Sequence, residues 1–127
     1  MEDILDYDSH NDLWTQKGTK TPFTGMHERY EKCSEENEDA LCRMTGYIEN
    51  GQWTGIWKVY NVDDKICAEL TFSKNQLHGP FKGYHPNGKV HSTGSYKNGK
   101  RDGLLTWFNE DGTIERKEKW IEDELVN

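Results

Sequence analysis

The sequence predicts an all-β fold: a single-layered antiparallel meander of β-hairpin repeats, about 24 residues each, in a curved and elongated sheet. Glycine recurs at positions 55, 79 and 103, and apolar side chains keep step with it. Trp57, Phe81 and Leu105 follow two residues later, and Ile66, Val90 and Ile114 eleven later. Tyr60, Tyr84 and Phe108 form another column, and Tyr47, Phe72, Tyr96 and Trp120 a fourth, at intervals of 25, 24 and 24. A period of this size marks an array of one supersecondary unit that buries its apolar face only against its neighbours. No segment shows a helical period of useful length, the best being the polar stretch 31–44.

The chain reads as one domain, 1–127, whose segments follow in order. Residues 1–22 are a leader or N-terminal cap. Within it, Asp6-x-Asp8-x-His10-x-Asp12 lacks the glycine and the terminal glutamate of a calcium loop, since Asn11 and Lys17 stand there. A poorly ordered acidic segment is expected instead. Residues 23–46 are an atypical repeat: Phe23, Gly25 and Tyr30 reproduce the offsets of Trp53, Gly55 and Tyr60, but 17 residues separate Tyr30 from Tyr47 where later units have 12. That implies a five-residue insertion, in the acidic loop Cys33–Cys42.

Regular repeats follow at 47–71, 72–95 and 96–119, and 120–127 close the array. In the clearest, Thr93-Gly-Ser-Tyr-Lys leads through Asn98-Gly99, a strong hairpin signal, into Leu104-Leu-Thr-Trp-Phe. Glu110-Asp-Gly112 then turns the chain into a run ending at Trp120. Pro86-Asn-Gly88 matches that turn one unit earlier, while Asp64 stands where its glycine belongs. Gly25, Gly55, Gly79 and Gly103 are expected to be structural, needing a positive φ or lying where a side chain would strike a ring.

The hydrophobic share is only 32%, and the five Trp, six Tyr and four Phe make up part of the deficit, each large ring burying about 150–250 Å². The net charge is −7, and residues 1–42 hold all of the excess, with eleven acids against four bases; the rest carries twelve of each. Such a field disfavours nucleic acid and anionic lipid and attracts a basic partner, unless it serves only for solubility. No secretory start and no membrane-spanning apolar run is present, and three cysteines without a CxxC pair speak against a disulfide framework. A soluble, cytoplasmic protein with reduced thiols is expected.

No nucleophile elbow, phosphate-binding loop or dinucleotide fingerprint occurs, so no enzyme, cofactor or metal is predicted. His85 and His91 could meet across the Asn87-Gly88 turn, with Cys67 one repeat away, but as half-exposed strand residues rather than zinc ligands. Tyr7, Trp14 and Trp107 fall outside the aromatic columns. Each is a candidate for partner contact, since Trp and Tyr dominate interface hot spots; capping of the array is the other reading.

Gly94-Ser-Tyr-Lys-Asn-Gly-Lys-Arg-Asp-Gly103 and Tyr84-His-Pro-Asn-Gly-Lys89, with Leu13-Trp-Thr-Gln-Lys-Gly18 and Pro22-Phe-Thr-Gly25, resemble MORN-variant repeat proteins. The nearest group is the YwqK-like bacterial antitoxin or immunity family, and the resemblance runs over residues 13–120. It implies an immunity protein that neutralises a cognate toxin domain of a secreted or contact-delivered effector. Charge suggests a basic toxin, with a nuclease as one form. Contact is expected through Glu35, Glu36, Glu38, Asp39, Tyr7, Trp14 and Trp107, with no nucleic acid and no membrane insertion. The alternative is a MORN-type scaffold or membrane-associated module without a toxin partner. Open sheet edges leave homodimerisation available.

Overall fold

The computed structural model describes residues 5–32 and 41–126. Strands β1 (Leu5–Asp8) and β2 (Leu13–Gln16) form a two-stranded hairpin of their own. All others belong to one open antiparallel sheet, whose main strands lie in chain order: β3 (Gly25–Lys32), β4 (Leu41–Glu49), β5 (Gln52–Tyr60), β6 (Ile66–Ser73), then β8 (Gly79–Tyr84) and β9 (Val90–Lys97), and finally β11 (Gly103–Phe108), β12 (Ile114–Ile121) and β13 (Glu124–Leu125). Short β7 (Gln76–Leu77) pairs with β6, and β10 (Lys100–Arg101) with β9. No helix occurs among the described residues.

Two kinds of turn alternate. Asn50-Gly51, Lys74-Asn75, Asn98-Gly99 and Glu122-Asp123 are two-residue hairpin loops, and all eight residues have φ between 47° and 83°. That double positive φ is the type I′ turn, whose twist suits the flanking strands. The second kind closes Asn61–Lys65, His85–Lys89 and Asn109–Thr113, each with the same pair of backbone hydrogen bonds. Asp64 adopts φ 61° where Gly88 and Gly112 have 88° and 93°, so the missing glycine changes the sequence and not the turn. Its carboxylate is also held, 2.6 Å from Arg43 Nη2.

Pairing across the sheet corrects one column. Gly25 faces Ile48, Gly55 faces Phe72, Gly79 faces Tyr96 and Gly103 faces Trp120. The in-register residue of the first unit is therefore Ile48, fully buried, and not Tyr47, which is 41% exposed on the other face. An extra residue, Gly46, bulges β4 against β5 and shifts the register by one, because the Trp57 indole fills the space that a Cβ there would need. The column is then 48, 72, 96 and 120, evenly spaced, and the first unit carries six extra residues rather than five.

The units are fastened at the type I′ turns. The N–H of the second turn residue donates to a carbonyl of the preceding unit: Gly51 to Phe23 (2.7 Å), Asn75 to Trp53 (3.2 Å), Gly99 to Leu77 (2.8 Å) and Asp123 to Arg101 (2.9 Å). Where the turn residue has a side chain, the bond is returned. Trp53 N–H donates to Asn75 Oδ1 (2.6 Å) and Arg101 N–H to Asp123 Oδ1 (2.7 Å). Where it is glycine, the preceding asparagine N–H donates back instead, from Asn50 to Thr24 Oγ1 (2.8 Å) and from Asn98 to His78 Nδ1 (3.1 Å). Every junction is thus a two-point clasp that leaves few buried backbone groups unpaired.

The core lies on one face of the sheet, where Leu5, Ile48, Trp53 and Trp57 are buried and Trp14, Phe23, Met44 and Phe72 pack around them. Trp53 and Trp57 stack at 3.8 Å and 6°. The N-terminal hairpin covers this region, which corrects the expectation of a poorly ordered leader. Leu5 and Thr15 are buried, Trp14 N–H donates to Gly51 O (2.7 Å), and Phe23 N–H donates to Trp14 O (2.9 Å). Thiol chemistry also differs from expectation: Cys42 is disulfide-bonded and Cys67 is free.

All four expected structural glycines have positive φ, from 73° at Gly55 to 149° at Gly25. A ring stands in the way only at Gly25; at Gly79 (φ 116°) a Cβ would lie 3.0 Å from Thr71 Cγ2, and at Gly55 it would meet open space. Gly79→Val should therefore cost about 2–4 kcal/mol, combining backbone strain with overpacking. Gly55→Asn, at φ 73° with space available, should cost about 1 kcal/mol or less. Denaturant midpoints of both variants check this, and an unchanged Gly79→Val midpoint would contradict the account.

Candidate interaction groove

Between the N-terminal hairpin and the array lies an open groove lined by Tyr7, Asp12, Trp14, Trp53, Phe72 and Asn75. The β1–β2 register places Tyr7 directly opposite Trp14, and their ring centroids are 5.1 Å apart. Trp14 continues the aromatic series to Trp53 at 5.6 Å, and Phe72 meets Trp53 edge-on at 5.1 Å. Asp12 sits at the rim with φ 54°. Its Oδ1 accepts from the Tyr7 hydroxyl (2.5 Å), while its carbonyl accepts from Asn75 Nδ2 (2.5 Å). The bond to Asp12 holds the Tyr7 phenol above its ordinary range. Asn75 thus does two things, closing a clasp and tying the hairpin to the array.

Two predicted contact residues, Tyr7 and Trp14, therefore come together, and Tyr7 is 49% exposed. Trp107 belongs to a separate cluster, with β8 and β9 lying between β6 and its own strand. There His91 meets its ring edge-on at 5.1 Å, Arg116 lies over it at 4.7 Å, and its Nε1–H donates to Glu118 (3.0 Å). The indole bond pulls the Glu118 carboxyl below its usual range. Glu35, Glu36, Glu38 and Asp39 lie outside the described residues. Asp12, Trp53, Phe72 and Asn75 were not anticipated as site residues. The signal for Asn75 was its place, since it stands where the flanking turns have Gly51 and Gly99.

The opposite sheet face is not acidic. Register places Glu28, Thr45, Lys58, Glu69, Lys82, Thr93, Thr106 and Lys117 in one row across the strands. His85 and His91 do meet, at 4.7 Å, but His85 Nε2 is engaged with Phe108 O (2.9 Å). Among the described residues no group of three His, Cys, Asp or Glu is placed to hold a metal ion. Burial raises the Cys67 thiol above its normal range. No helix among the described residues is long and apolar enough to cross a membrane.

This geometry defines an interaction scaffold of hairpin repeats. Two adjacent stretches, residues 77–98 and 101–121, match the family model for the MORN repeat variant. Each stretch begins at the acceptor of a clasp, Leu77 or Arg101, and ends within two residues of its donor, Gly99 or Asp123. No curated protein and no solved structure matches the chain.

On the row of the opposite face, the Tyr84 hydroxyl donates a short hydrogen bond to Glu69 Oε1, which pushes its pKa up to about 12. The unfolded chain loses that proton near pH ~10. The native state therefore holds one more proton between those values, so this stabilisation is complete below pH ~10 and lost as pH rises towards 12. The stability difference between wild type and Tyr84→Phe should be constant up to about pH 9.5 and shrink above it. A difference that does not change across this window would contradict the assignment.

Proposed function

We propose that this chain is a non-catalytic immunity protein that binds a cognate toxin domain of basic character and occludes its active site. The aromatic groove beside Asp12 is the observation that carries this reading. It combines one exposed ring, Tyr7, and the half-buried Trp14 and Phe72 with the part of the chain that holds all of the excess negative charge. The MORN-repeat match supports a scaffold that works by contact, and the resemblance to immunity proteins supplies the toxin as partner. Charge would steer the encounter and the rings would hold the complex.

Co-expression with a toxic C-terminal domain encoded at the same locus should restore growth, and the two chains should co-purify. Replacing Glu35, Glu36, Glu38 and Asp39 together by Gln, Gln, Gln and Asn should weaken the complex on the order of tenfold at low salt and flatten its salt dependence. Failure of the wild-type chain to rescue growth or to co-purify would refute the immunity reading.

A further inference from the structure

All four arginines of this chain lie over an aromatic ring. Arg29 is 4.7 Å from the Trp14 centroid, Arg43 4.3 Å from Tyr60, Arg101 4.0 Å from Trp120 and Arg116 4.7 Å from Trp107. All four guanidiniums also reach a carboxylate: Arg29 at Glu31, Arg43 at Glu28 and Asp64, Arg101 at Asp123 and Arg116 at Glu118. Ring plus carboxylate is thus the setting in which this fold places a guanidinium, using its planar stacking surface and its fork of donors.

The groove reproduces that setting with no guanidinium in it. Arg29 approaches Trp14 and Trp53 but is not among the groove's lining residues. Tyr7 and Trp14 supply inclined ring faces at 45° to one another, and Asp12 supplies the carboxylate. Only the Tyr7 hydroxyl bonds that carboxylate, and no ion pair is formed by Asp12 among the described residues. Trp53, which also lines the groove, is 7% exposed, and its indole N–H is buried without a hydrogen-bond partner.

We propose that this groove is an arginine-binding site, which seats a guanidinium from a partner protein against Tyr7 and Trp14 with its donors on Asp12. It rests on the proposed function, naming the side chain by which a basic partner would be gripped. Lysine fits less well, because a compact ammonium neither stacks on two rings nor forks onto a carboxylate.

The test uses the intact protein and fluorescein-labelled hexa-arginine and hexa-lysine peptides, read by anisotropy at about 0.15 M salt so that non-specific attraction is damped. Hexa-arginine should bind about fivefold or more tighter than hexa-lysine. Asp12→Asn, which keeps a residue tolerant of positive φ, and Tyr7→Leu should each remove that preference. Asp63→Asn, an equal charge change on an exposed turn away from the groove, should leave it in place. Circular dichroism of each variant verifies folding. A preference under twofold, or one that survives both groove variants, overturns the proposal. Because no toxin is used, this outcome is independent of growth rescue, which can fail with the groove selective or succeed with it indifferent.

Discussion

The fold depends on a hydrogen bond from each type I′ turn back to the unit before it. A hairpin alone is marginal in water, and a single-layered sheet has no second layer to hold its hairpins in line. The N–H of residues 51, 75, 99 and 123 reaches the carbonyl of residues 23, 53, 77 and 101, and this fixes where each turn lies over its neighbour. The last three pairs span the same number of residues and recur every 24, so the clasp repeats with the period of the sequence. The positive-φ glycines follow from it. After each clasp the chain must bend before it can pair with the long strands on either side, and Gly55, Gly79 and Gly103 stand four residues after the turn.

Much of this was legible in the sequence, for a physical reason. Backbone conformations closed to most residues select glycine and asparagine, so Asn98-Gly99 and Gly103 announced turn and bend directly. Three features were hidden. Gly46 marks a bulge only because the Trp57 ring occupies its Cβ space, and a sequence does not print that contact. Missing the bulge placed Tyr47 in the core column where Ile48 belongs. Lys74-Asn75 and Glu122-Asp123 were unremarkable as dipeptides, although they take the same conformation as Asn-Gly. The hairpin β1–β2 was hidden by its acids, which suggested a disordered leader. Asp8 in fact ties its own turn by accepting from His10 N–H and the Asn11 side chain, the latter bond lowering its carboxyl below the usual range.

Of the candidate site, sequence isolated Tyr7 and Trp14 by their failure to fit the period, and these two rings became neighbours. It could not supply Asp12 and Asn75, because their roles come from docking one hairpin against another. Trp107 failed to fit the period for a different reason. Its indole is held by Glu118, Arg116 and His91 near the C-terminal end of the sheet, as a cap would be. The N-terminal hairpin adds Tyr7, Asp12 and Trp14 to the array, completing a groove whose other side is Trp53, Phe72 and Asn75 of the repeats.

The most direct test of the clasp is amide hydrogen exchange at Gly51, Asn75, Gly99 and Asp123. Gly99 and Asp123 are exposed to solvent, so an unclasped turn would exchange there at close to the rate of an open chain. The account predicts slow exchange at all four amides, at rates comparable to those of the neighbouring strands. Fast exchange at Gly99 and Asp123 alongside protected strands would contradict it.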